Sequence, residues 1–210
     1  SFLMRNNNRT PDAALDDQRA MRALYDAAGL GAGPIYVFTA FGCNFEGAVP
    51  VEKVVLTVER LHAMLAETGQ APSEICLCDT IGAAHPGLVR RVVGAVRDRW
   101  PDIPIGLHLH DTRGLGLANV LAGLDLGVAR FDSSIGGLGG CPFAGSKAAA
   151  GNIATEELVF LCEEMGIHTG IDLERAIDAA RLAQEIVGHP LPSRVMKAGS
   201  LRQFRERAWA

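Results

Sequence analysis

The sequence lacks an excess of positive charge. Its 20 Lys and Arg are outnumbered by 24 Asp and Glu, giving a formal net charge of −4 and a pI near 5.9. No stripe of Lys and Arg interleaves with aromatic residues, so no nucleic-acid surface is expected. No apolar run approaches the roughly 18–20 residues of a membrane span, and no membrane partner is expected. The five cysteines include no CxxC pair, which argues against a zinc ribbon or a disulfide framework. Cys76 and Cys78 alternate along an apolar run. With Cys43 and Cys162 they read as small structural residues in a reducing compartment, cytoplasmic in type, with the mitochondrial matrix as the eukaryotic counterpart. A GxGxxG phosphate loop between a strand and a helix is also missing; Gly137-Leu-Gly-Gly140 does not match it, which disfavours a nucleotide-binding doubly wound fold. The opening residues carry no signal-peptide pattern. Residues 1–8 read as the end of a strand and a loop entered midway, so a fragment is expected.

What is present is an ordinary α/β composition. Hydrophobic residues at 48% and charged residues at 21% suffice for one sizeable core in 210 residues. Apolar strand-like runs at 35–39, 74–79, 103–110 and 129–133 alternate with segments of helical period at 50–67, 86–100 and 115–126. Thr10 before Pro11 reads as a helix cap, with Gly29 as the stop. Two further helices are expected over 154–164 and 173–187. The basic face of Arg90, Arg91, Arg97 and Arg99 reads as solvated surface, and the Arg-rich tail over 189–210 as peripheral. The polar residues gather at the carboxyl ends of the strands. In a (β/α)8 TIM barrel that rim carries the chemistry, and the alternation predicts a partial barrel of about four to five βα units plus C-terminal helices.

Two stretches organise the chain. The first, IGLHLHDT over 105–112, ends an apolar run with two histidines one residue apart. On a strand, residues i and i+2 share a face, so His108 and His110 project together, with Leu107 and Leu109 opposite. Two imidazoles followed by the carboxylate of Asp111 make half of a metal site. The second, GGLGGCPF over 136–143, places the Cys141 thiol in a glycine-rich loop. Singly, each feature is common; together, on neighbouring strand ends, they point to catalysis.

These motifs carry a family resemblance. The run TAFGCNFEG over 39–47, DTIG over 79–82, HLHDT over 108–112, GLGGCPFA over 137–144, GNIATE over 151–156 and GIHTG over 166–170 stand in this order. The chain, from Arg5 to about Arg194, resembles the C-terminal half of 3-hydroxy-3-methylglutaryl-CoA lyases, metal-dependent enzymes on a TIM barrel. The Cys-Pro loop favours these lyases over related synthases that share the HxH strand. The resemblance implies that residues 1–188 are the C-terminal part of the barrel domain. It implies a divalent metal, Mg²⁺ or Mn²⁺, held by His108, His110 and Asn152, with Cys141 and Asp79 catalytic. Thr80, Gly139 and Gly140 would bind substrate, and Glu156 would support the site. His168, although within a family motif, lies at a helix end and is expected to be structural.

The implied reaction cleaves an acyl-CoA substrate, 3-hydroxy-3-methylglutaryl-CoA, to acetyl-CoA and acetoacetate, a step of leucine catabolism. A homo-oligomer is implied for the full-length protein. Two departures stand out. The family's Asp and Arg near the first strand have no counterpart here, so this chain alone is expected to be inactive. The segment from Cys141 to Asn152 also reads as longer than the common form, which leaves a different 3-substituent open. Two other readings compete: an aldolase or Claisen-type synthase on the same barrel, and a non-catalytic half-barrel module.

Overall fold

Residues 2–140 and 151–207 are described by a computed structural model of the chain. Four apolar runs form strands β1 (Ile35–Val37), β2 (Ile75–Cys78), β3 (Ile105–His108) and β4 (Arg130–Asp132). All neighbouring pairs are parallel, and the strands lie side by side in sequence order. A doubly wound sheet reverses its strand order at a switch point; this sheet does not. The unbroken parallel order is that of part of a (β/α)8 barrel wall.

The connecting helices form where the apolar period demands them. In α4 (Pro86–Arg99), Val89, Val92, Val93 and Val96 recur at helical spacing and are all fully buried. Each contributes roughly 1.5–3 kcal/mol by leaving water. They join Val54 and Val58 of α3 (Val51–Ala66) and Val120 of α5 (Gly116–Asp125) over Ile75, Leu77 and Leu107. On the other face of the sheet, Tyr36 and Phe38 remain 43% and 56% exposed. Helices therefore cover one face of the sheet, as on the outside of a barrel wall.

The helix ends follow local chemistry. Thr10 caps α2 (Pro11–Ala27), its hydroxyl accepting from Ala13 N at 3.2 Å, with Pro11 in the first turn. Asp172 caps α7 (Leu173–Val187), which stops at Gly188 in the left-handed region. Before α7 lies α6 (Thr155–Glu164). The opening segment differs from the sequence reading: Phe2–Asn7 is a helix, α1, rather than a strand end. It rests on the fold through Phe2 stacked on Phe38 at 6.3 Å and Arg5 over the Phe45 ring at 4.7 Å. Within the Arg-rich tail, Leu191, Ser193 and Met196 are buried, the last in α8 (Arg194–Ala198). The following helix α9 (Arg202–Arg207) is the more exposed part. Among the described residues, no helix is long and apolar enough to cross a membrane.

Candidate active site

Strand register puts the polar groups in a row. Cys78 pairs with His108, and His108 with Asp132, each the last residue of its strand. Parallel partners in register share a face, so all three project from the sheet's carboxyl edge on the side away from the helices. β3 ends at His108, yet the alternation persists two residues further. Leu107 and Leu109 are fully buried on the helix side, while His110 returns to the face of His108. The two Nε2 atoms stand 3.2 Å apart, with the rings edge to face.

His110 is anchored from the next βα loop. It forms an isolated antiparallel bridge with Asn152, flanked by Asp111 N donating to Gly151 O at 2.7 Å and Ile153 N donating to Leu109 O at 3.3 Å. The Asn152 amide nitrogen donates to Leu138 O at 2.8 Å. The bridge sets the Asn152 side chain beside His110, where it and the Thr80 backbone both favour the protonated ring. Burial, then the neighbouring His108, lowers the His110 pKa to about 4. At neutral pH this imidazole is uncharged and keeps a lone pair for a Lewis acid.

The donor set fits a divalent cation. Two ligand atoms about 2.0–2.2 Å from one ion, at right angles, stand about 3 Å apart, close to the separation of the two Nε2 atoms. His110 Nδ1 is buried without a hydrogen-bond partner among the described residues. Two imidazoles and an amide oxygen suit a catalytic ion with open positions better than a closed structural site. No group of three or more His, Cys, Asp and Glu is poised for a metal among the described residues.

The other sequence candidates are distributed around this pair. Asp79, 1% exposed, follows β2 and accepts from Ala83 N at 2.7 Å and Ala84 N at 3.2 Å. Burial pushes its carboxyl up, opposed by those two amides and by the nearby Arg113 guanidinium. The Thr80 hydroxyl accepts from Thr39 N at 2.8 Å and ties the rim loops after β1 and β2 together. Gly139 accepts from Asn152 N at 3.3 Å. Cys141 lies outside the described residues. Glu156, fully buried, accepts from Gly136 N with both carboxylate oxygens at 3.1 Å. His168 is exposed in the loop between α6 and α7.

Asp111 does not join the histidine pair. Its Oδ1 accepts from Gly116 N at 2.8 Å at the start of α5, and its Oδ2 lies 3.5 Å from Arg194 Nη1. The chain turns after His110, so the carboxylate is claimed by the next helix. Asp111 and Asn152 instead line a cavity of about 230 Å³, together with Glu157, Ser193 and Arg194. Sequence reasoning missed Glu157, Ser193 and Arg194 of that wall, and it missed Asp132, whose Oδ2 lies 3.2 Å from His108 Nδ1. A polar residue ending a barrel strand was the available signal for Asp132.

Two imidazoles and an amide meet at the carboxyl-terminal rim of the barrel wall, the place where enzymes of the TIM-barrel class carry their chemistry. The chain belongs to the HMGL-like family, whose profile matches residues 3–183. It is 47% identical over 159 residues to hydroxymethylglutaryl-CoA lyase YngG of Bacillus subtilis, covering 76% of this chain and 50% of that protein. It is 44% identical over 165 residues to (R)-citramalyl-CoA lyase of Chloroflexus aurantiacus, covering 79% and 50% of the two chains. The solved HMG-CoA lyase of Acinetobacter baumannii, in complex with coenzyme A and 3-methylmalate, superposes with a TM-score of 0.82 at 39% identity. That match covers 95% of this chain and 62% of the other. The chain thus spans about half the length of the curated relatives it matches.

Proposed function

We propose that this chain carries the metal- and thiol-bearing part of a divalent-metal-dependent carbon–carbon lyase acting on a 3-hydroxyacyl-CoA. The proposed substrate is 3-hydroxy-3-methylglutaryl-CoA and the products are acetyl-CoA and acetoacetate. The observation that carries this reading is the 3.2 Å approach of the His108 and His110 Nε2 atoms, with the Asn152 side chain on His110. The similarity to enzymes named hydroxymethylglutaryl-CoA lyase supports the substrate class. Mg²⁺ or Mn²⁺ is the proposed cofactor.

The reaction has simple demands. The 3-hydroxyl loses its proton, the C2–C3 bond breaks, and its electron pair passes to the thioester as an enolate. The new carbonyl forms at C3, and a proton must then reach C2. A divalent ion held by His108, His110 and Asn152 would stabilise negative charge on the substrate's oxygens. The residues themselves do the remaining work. Neutral His110 offers a lone pair at physiological pH because burial opposes its protonation. Asp79 fixes the loop after β2 through two backbone amides, and Thr80 fixes the neighbouring loop against it. Cys141 is assigned proton delivery to C2, a task suited to a thiol.

A second substrate is favoured by the 44% identity to the (R)-citramalyl-CoA lyase; it shares the 3-hydroxyacyl-CoA core and differs in the acyl chain. The test is a thioester-cleavage assay on the complete protein with Mg²⁺ or Mn²⁺, offering 3-hydroxy-3-methylglutaryl-CoA and citramalyl-CoA in parallel. Metal-dependent release of acetyl-CoA from either substrate, abolished in His110→Ala and Cys141→Ala, is expected. Turnover that survives both substitutions or needs no metal overturns the reading.

A further inference from the structure

We propose that Asp132 is a positioning residue that fixes the tautomer of His108, so that the Nε2 lone pair of His108 faces the candidate ion. This deepens the metal-dependent reading above and rests on it for its functional meaning.

The starting point is the register of the sheet. Asp132 closes β4 opposite His108, which closes β3, so a short carboxylate can reach the near nitrogen of the ring. Its Oδ2 lies 3.2 Å from His108 Nδ1. An ionised carboxylate only accepts hydrogen bonds, so the proton sits on Nδ1 and the lone pair on Nε2. That lone pair points to His110 Nε2 at 3.2 Å. A carboxylate behind a ligating imidazole holds the ring's orientation and makes it a better donor.

The surroundings leave Asp132 available for this task. Arg130, two residues earlier on the same strand face, is engaged elsewhere: its Nη1 donates to Glu74 Oε2 at 2.9 Å and Ser73 O at 3.2 Å. The other described side chain hydrogen-bonded to Asp132 is Cys76, whose Sγ lies 3.9 Å from Oδ2. A thiol is a weak donor and leaves the carboxylate free to polarise the imidazole.

Long-range ¹H–¹⁵N correlation spectra of the imidazoles test this on the full chain, first metal-free and then with Zn²⁺ as a diamagnetic probe. Expected is His108 as Nδ1–H in both states. In Asp132→Ala, His108 should lose its fixed Nδ1–H form, and Mn²⁺ affinity should fall about 10- to 100-fold. Asp132→Asn, which keeps an acceptor without its charge, should retain the tautomer and lose less affinity. Backbone amide spectra identify any variant that fails to fold, and Asp132→Asn then serves as the test. A wild-type His108 protonated on Nε2, or an unchanged tautomer in Asp132→Ala, overturns the proposal. A fixed His108 tautomer in a protein that takes up no divalent ion supports the role of Asp132 and overturns the metal-dependent reading.

Discussion

The carbonyl oxygen of Gly139 lies 1.5 Å from the point where a Cβ on Gly151 would stand. The two backbones touch because both residues lack a side chain, and this contact seats Asn152 beside His110. Gly139 also has φ +92°, and a Cβ there would meet the Asn152 amide nitrogen at 2.7 Å. Gly151→Ala is therefore expected to force the backbones apart and cost about 1–3 kcal/mol, the usual range for overpacking. Mn²⁺ affinity should fall with it, because Asn152 moves. Gly94→Ala in α4, where a Cβ meets nothing within 4 Å, should instead stabilise by up to about 1 kcal/mol through helix propensity. Urea denaturation of the two variants, with a Mn²⁺ titration of the folded protein, checks the contrast.

Glu156 separates support from chemistry. Its fully buried carboxylate receives Gly136 N on both oxygens, and Gly136 has φ +65°. In Glu156→Gln one oxygen survives, while the new NH₂ is buried and needs an acceptor. The expected loss is about 1–3 kcal/mol of stability, with Mn²⁺ affinity of the folded fraction unchanged. A variant with native melting and lost metal binding would contradict the supporting role.

What could be read from sequence follows the range of each interaction. Thr10, Pro11 and Gly29 mark helix ends through hydrogen bonds and dihedral angles within a few residues, so those ends are legible. The shared face of His108 and His110 follows from the two-residue period of extended backbone. Asp132 acts on a residue 24 positions away, through a strand register that no local pattern encodes. The claim of α5 on Asp111 likewise depends on where the chain turns after His110. Residues 2–7 were misread because an Asn-rich run suggests a loop, whereas packing of Phe2 and Arg5 on aromatic rings holds a helix. The Arg-rich tail similarly conceals buried Leu191 and Met196 among charged neighbours.

Asp79 is held by geometry that an amide cannot copy. Its two oxygens accept from Ala83 N and Ala84 N. Asp79→Asn keeps one acceptor and turns a donor toward the other N–H. A loss of about 1–3 kcal/mol is expected, together with faster amide exchange at Ala83 or Ala84. Hydrogen exchange followed by NMR reads both positions directly. Unchanged protection at both would refute the assignment.

His110 gives the chain an acid sensitivity whose sign is fixed. Its pKa is 6.5 in the unfolded chain and about 4 when folded, chiefly because burial penalises the charged ring. Between those values the unfolded chain binds the proton and the folded chain does not. Above 6.5 neither form is protonated there, and the full stability remains. As pH falls from 6.5 toward 4, unfolding is favoured progressively, by about 3 kcal/mol at the end of that interval. His110→Gln removes this contribution while leaving the background of carboxylates in place. The difference in unfolding free energy between wild type and His110→Gln, measured by urea denaturation near about pH 7.5 and about pH 5, should thus shift in favour of the variant at the lower pH. Saturating Mn²⁺ should steepen the wild-type loss, since proton and cation compete for one lone pair. A difference independent of pH would mean that His110 titrates alike in both states.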